Sequence, residues 1–82
     1  MERLTRRTPS GWEVEDLPAA LEELARFEDF RESVAAGQGE LSARLAGLRA
    51  AGKERSREAR ELMGKKLTNT EILLRLEQFG LN

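Results

Sequence analysis

The spacing of apolar residues along this chain changes at Leu17. Before it, Leu4-Thr5-Arg6 and Trp12-Glu13-Val14 alternate weakly on either side of Thr8-Pro9-Ser10-Gly11, where proline presets a bend and glycine accepts a positive φ. Residues 1–15 are therefore read as a short β-hairpin or arm. An isolated hairpin is marginal in water unless it packs on something. Two roles are open to Trp12: a plug over a helix face, or a stacking platform for a base or a partner side chain.

From Leu17 the period becomes helical. Leu17, Ala20, Leu21, Leu24, Phe27, Phe30 and Val34 recur every three or four residues, which predicts a helix over 16–36. Asp16 caps its start, Pro18 is tolerated in the first turn, and Gly37-Gln38-Gly39 is read as its end. A second helix is predicted over 40–51 from Leu41, Leu45 and Leu48. Small residues between them (Ala43, Ala46, Gly47, Ala50, Ala51) would admit a close helix neighbour. Gly52 is read as a break, since glycine costs about 1 kcal/mol inside a helix. A third piece, 54–63, is charged almost all round, with Ala59, Leu62 and Met63 its apolar positions. The last helix is predicted over 68–79, with Thr68 as N-cap, Glu71 as its capping-box partner, and Leu67 and Ile72 as a hydrophobic staple. Ile72, Leu73, Leu76 and Phe79 form its buried stripe, and Gly80 its stop. The predicted fold is mainly α: a short N-terminal β-hairpin followed by three or four helices.

Composition narrows the chemistry. The 82 residues make one small domain, 1–82, with neither Cys nor His, so disulfides, zinc fingers, haem ligation and Cys, His or Ser-His-Asp nucleophiles are excluded. A domain this small has a thin core, and without metal or disulfide its remaining support is oligomerisation, expected here as a homo-oligomer. The 14 Lys+Arg and 15 Asp+Glu nearly cancel, but unevenly. Residues 18–36 sum to −3 and residues 37–82 to +3, with eight positive against three negative over 44–66. Glu22, Glu23, Glu28, Asp29 and Glu32 lie on the first helix without companions and are read as solvated carboxylates, not as a metal or glycosidase site. No stretch approaches a membrane span, and Met1–Ser10 is too polar for a signal-peptide core, so a cytoplasmic protein that binds no membrane is expected. No cofactor and no catalytic residue are predicted.

Two constellations carry candidate chemistry. Lys65 and Lys66 precede the amides of the predicted last helix, with hydroxyls from Thr68 and Thr70 and the Asn69 amide nearby. Arg55, Arg57 and Arg60 stand within reach on the helix before. Together they would hold an anion such as a phosphate by dipole, hydrogen bonds and charge; the alternative is a plain cap beside solvated lysines. The second constellation is Ser56 to Leu76, which resembles the first two helices of the DNA-binding domain of the quorum-sensing and response-regulator family: a turn glycine (Gly64), a leucine (Leu67), a polar cap (Thr68), then Glu71-Ile72. That resemblance implies a DNA-binding regulator in which 68–79 would itself be the recognition helix, with Asn69, Arg75 and Gln78 as base-reading side chains.

The ends of the chain carry a further resemblance. Met1-Glu2-Arg3-Leu4-Thr5-Arg6-Arg7, then a glycine turn, then Ala20-Leu21-Glu22-Glu23-Leu24-Ala25-Arg26-Phe27-Glu28-Asp29 resembles the opening of small accessory proteins from phages and prophages of gut Firmicutes. Leu48-Arg49-Ala50-Ala51-Gly52-Lys53 and Arg60-Glu61-Leu62-Met63-Gly64-Lys65-Lys66-Leu67-Thr68-Asn69 are similar to their C-terminal segments. This chain has Phe27 where tyrosine is commoner. The resemblance implies a non-enzymatic protein acting by stoichiometric binding in the cytoplasm of an infected host. Its expected role is antagonism of a bacterial defence system, by sequestering a nucleotide signal or by occluding a host defence protein.

Overall fold

A computed structural model describes residues 2–82. Two strands and two helices are present among them: β1 (Thr5–Thr8), β2 (Gly11–Val14), α1 (Leu17–Ala50) and α2 (Arg57–Gln78). The mainly helical chain with an N-terminal β-hairpin is as the sequence predicts, but two long helices replace the three or four shorter ones. By internal packing the chain divides into two units, one running to Phe30 and one spanning Arg31–Asn82, with α1 contributing to both.

In the first unit β1 and β2 pair antiparallel, Thr5 facing Val14, Arg6 facing Glu13, Arg7 facing Trp12 and Thr8 facing Gly11. The two-residue turn Pro9-Ser10 is closed by Thr8, whose Oγ1 donates to the Gly11 carbonyl at 3.2 Å, and by Gly11 at φ +136°. Because side chains alternate across a strand pair, the two cross-strand pairs fall on opposite faces. On one, Arg6 forms ion pairs with Glu13 and, at 3.1 Å, with Glu15. On the other, the Arg7 guanidinium sits 4.5 Å from the centroid of the Trp12 ring and Arg3 sits 5.5 Å from it. Trp12 is 56% exposed, so it is a ring dressed by cations, not a closed plug. Asp16 caps α1 as expected, its Oδ1 accepting from the Ala19 amide at 3.0 Å.

The second unit is an antiparallel helical hairpin. α1 does not stop at Gly37-Gln38-Gly39; neither glycine has a positive φ, and the helix continues to Ala50. The reason is the facing surface. Arg31, Val34, Gln38, Leu41, Leu45 and Leu48 alternate spacings of three and four, and every one is at least half-buried. Ala59, Leu62, Lys66, Asn69, Leu73 and Leu76 repeat the pattern on α2. This is the heptad repeat of paired helices, and Gln38 lies in phase with it, so a segment resembling a stop is a contact segment. Val34, Leu41, Ala59 and Leu62 are the buried core among the described residues. Gln38 Nε2 donates to Thr70 Oγ1 at 3.0 Å and to the Lys66 carbonyl at 3.2 Å, and Arg31 donates to the Leu81 carbonyl at 3.3 Å. Arg44 and Glu58 pair at 3.4 Å nearer the turn.

Both helices end alike. Gly52 and Gly80 each take φ +72°. The Lys53 amide then reaches the Leu48 carbonyl at 2.7 Å and the Leu81 amide the Leu76 carbonyl at 2.9 Å, closing two Schellman motifs. The break at Gly52 and the stop at Gly80 are thus where the sequence places them. The start of α2 differs. Ser56 is its N-cap, accepting from the Ala59 amide at 3.1 Å, and the predicted helices 54–63 and 68–79 form one. Thr68 is not a cap. Its hydroxyl donates to the Gly64 carbonyl at 3.1 Å and that of Thr70 to the Lys66 carbonyl at 2.9 Å, the back-bonding that lets threonine sit inside a helix. The small residues Ala43, Ala46, Gly47, Ala50 and Ala51 are exposed, not packed under a neighbouring helix.

Candidate anion-binding site

An open cavity of about 260 Å³ lies at the turn end of the helical hairpin. Ser42, Leu45, Ala46 and Arg49 enter it from α1 at positions i, i+3, i+4 and i+7, one face of a helix. Ala59, Arg60, Met63 and Lys66 enter from α2 at positions i, i+1, i+4 and i+7, and Glu54 comes from the connecting turn. Three cations and one carboxylate thus surround a wall of Leu45, Ala46, Ala59 and Met63. Lys66 is half-buried at its seam position and lines the cavity together with Arg49 and Arg60.

This differs from the anion site expected from sequence, because the helix start on which that site depended is not there. With residues 64–68 inside α2, the amides after Lys66 are committed to the helix. Of the eight expected residues, Arg60 and Lys66 converge on the cavity. Asn69 faces α1 and lies against Gly37, its Nδ2 3.5 Å from where a Cβ there would sit. Thr70 is engaged with Gln38. Thr68 and Lys65 are exposed and line no part of the cavity. Arg55 is exposed in the turn, and Arg57 pairs with Glu61 at 3.2 Å. Arg49, which the sequence reading did not place in the site, also lines the cavity; its spacing of four from Leu45 puts it beside the seam.

The same continuity removes the helix-turn-helix: Gly64 is helical, and the turn that would separate the two helices is absent. Asn69 lies in the helix contact, leaving Arg75 and Gln78 exposed. A second cavity, in the first unit, is lined by Glu2, Arg3, Arg6, Glu13, Glu15 and Asp16 among others, and its central cation Arg6 is already paired. Among the described residues no group of acidic side chains is placed to hold a metal ion, and no helix is long and apolar enough to cross a membrane.

The arrangement defines a helical hairpin with a basic, apolar-walled recess beside its turn. No protein family, curated protein or solved structure was found to match the chain.

Proposed function

We propose that this protein is a non-catalytic binder of phosphate-bearing ligands, taking a nucleotide in the cavity at the turn of its helical hairpin. The observation that carries the reading is the convergence of Arg49, Arg60 and Lys66 on a recess walled by Leu45, Ala59 and Met63. Guanidinium forks match phosphate oxygens, and an ammonium adds a point charge. The apolar wall gives a base or sugar somewhere to lie. The volume is just below the roughly 300–1,000 Å³ of ordinary small-molecule sites, which suits a mononucleotide in an open recess. In the phage setting that the chain's ends suggest, such a protein acts as an accessory that antagonises a bacterial defence system by withdrawing its nucleotide signal.

Isothermal titration with cyclic nucleotides and their linear monophosphates tests this. Binding to the wild type, weakened at least tenfold by Arg49→Ala or Arg60→Ala with unchanged melting, is the expected result. No heat with any nucleotide, or equal affinity in the variants, rejects it. The DNA-binding alternative keeps one supporting observation, the exposed basic side chains Arg55, Arg57 and Lys65 near the turn. A mobility shift on duplex DNA that vanishes with added salt would favour it as backbone binding without base readout.

A further inference from the structure

Among the described residues, two helix faces leave large apolar side chains about half exposed. The three- and four-residue spacing of the seam continues backward along α1 through Phe27, Leu24, Ala20 and Leu17. Yet Leu17 is 58% exposed, Leu24 51%, and Leu21 beside them 57%. On α2, Met63, Leu67 and Leu74 keep the same rhythm on the strip beside the seam, with Thr70, which bonds Gln38, between them, at 49%, 64% and 52% exposure. These are large side chains at helix-pairing positions, in a chain whose buried core among the described residues is four side chains.

We propose that a second copy of this chain docks there, the α1 stripe Leu17-Leu21-Leu24 of one copy lying on the α2 face that runs from Met63 through Leu67 to Thr70 of another. Charge selects this pairing over either stripe meeting itself. Residues 17–30 carry four acidic side chains and one arginine, whereas residues 44–66, around the Met63 end, carry eight basic and three acidic. Self-pairing of either stripe would set like charges together, which costs affinity and specificity. The acidic pair Glu28-Asp29 selects the orientation. Run antiparallel, Leu24 meets Met63, Leu21 meets Leu67 and Leu17 meets Thr70, and Glu28-Asp29 lies toward the basic turn end near Arg60. Run parallel, that acidic pair would lie against Leu74. The contact joins two different surfaces and is therefore heterologous. Met63 and Arg60 also line the nucleotide cavity, so docking and nucleotide binding compete for that end of the hairpin; association is measured with no ligand added, which keeps the two readings separable.

Sedimentation velocity over a concentration series tests it with Leu21→Asp and Leu67→Asp, both at exposed positions that leave each chain's own hairpin intact by circular dichroism. The wild type is expected at twice the 9.2 kDa chain mass or more, shifting toward one chain as salt screens the charges. Each variant alone is expected to be monomeric. Their equimolar mixture is expected to recover a two-chain species, because one supplies an intact α2 stripe and the other an intact α1 stripe. A wild type that stays monomeric at every concentration overturns the proposal. So does a mixture that stays monomeric, or association abolished by one substitution and untouched by the other. Leu21→Gln and Leu67→Gln, which keep helix propensity and add no charge, are expected to give the same pattern more weakly.

Discussion

Gln38 of α1 donates a hydrogen bond to Thr70 Oγ1 of α2 at 3.0 Å, across a seam otherwise built largely from leucine and valine. The Thr70 hydroxyl in turn donates a hydrogen bond to the Lys66 carbonyl, so the chain of bonds is directional. Gln38 Oε1, however, is buried with no hydrogen-bond partner among the described residues. A polar residue at one seam position fixes helix register at a cost in stability.

Replacing Gln38 with leucine is therefore expected to stabilise the protein, by about 1 kcal/mol, since an orphaned buried acceptor is removed and Thr70 keeps its bond to Lys66. Thermal unfolding followed by circular dichroism checks this. A lower melting temperature would mean that the Gln38–Thr70 bond outweighs the unmatched oxygen.

Ser56 and Thr68 offer a paired comparison. Ser56→Ala removes the side-chain acceptor of the Ala59 amide and is expected to cost about 1 kcal/mol, a fall of roughly 4–8 °C for a domain of this size. Thr68→Ala, at an exposed position inside α2, is expected to be neutral or slightly stabilising. Were Thr68 a helix cap, the two results would be alike.

Glycines separate in the same way. Gly52→Ala forces a side chain into φ +72° and is expected to cost roughly 1–2 kcal/mol. Gly64→Ala, with helical backbone and nothing within 4 Å of the added Cβ, is expected to gain roughly 0.5–1 kcal/mol. Denaturant midpoints of the two variants should move in opposite directions; a shared direction would contradict the continuous α2.

Trp12 is the sole tryptophan, so its fluorescence reports the hairpin alone. Arg7→Ala is expected to raise quenching of Trp12 by acrylamide more than Arg3→Ala does, because the Arg7 guanidinium lies 1 Å nearer the ring (4.5 against 5.5 Å) and is its cross-strand partner. Equal quenching in both variants would show that the register does not hold the ring.

Local signals proved legible where local chemistry decides. The Thr8-Pro9-Ser10-Gly11 turn, the Asp16 cap and the positive-φ glycines Gly52 and Gly80 all depend on a few neighbouring residues. Gly37, Gly39 and Gly64 look the same in sequence, but packing across the seam holds them helical, and only the in-phase pair Val34 and Leu41 betrays it. Thr68-Asn69-Thr70-Glu71 has the form of a capping box, yet back-bonded threonine hydroxyls serve a helix interior equally well. The cavity beside the turn was not legible: Arg60 and Lys66 stand out as basic residues, but Arg49 comes beside them only once α1 and α2 fold back on one another.

The six-residue connection between Ala50 and Arg57 has a kinetic consequence. Closing a loop that short takes on the order of tens of nanoseconds, and every later rung of the seam forms beside one already made. The helical hairpin should therefore zip outward from Leu48 and Ala59 in microseconds to milliseconds, the range of folds rich in local contacts. The Arg31–Leu81 rung, farthest from the turn, closes last and opens first, so amide exchange should run fastest there and slowest around Leu45 and Leu62.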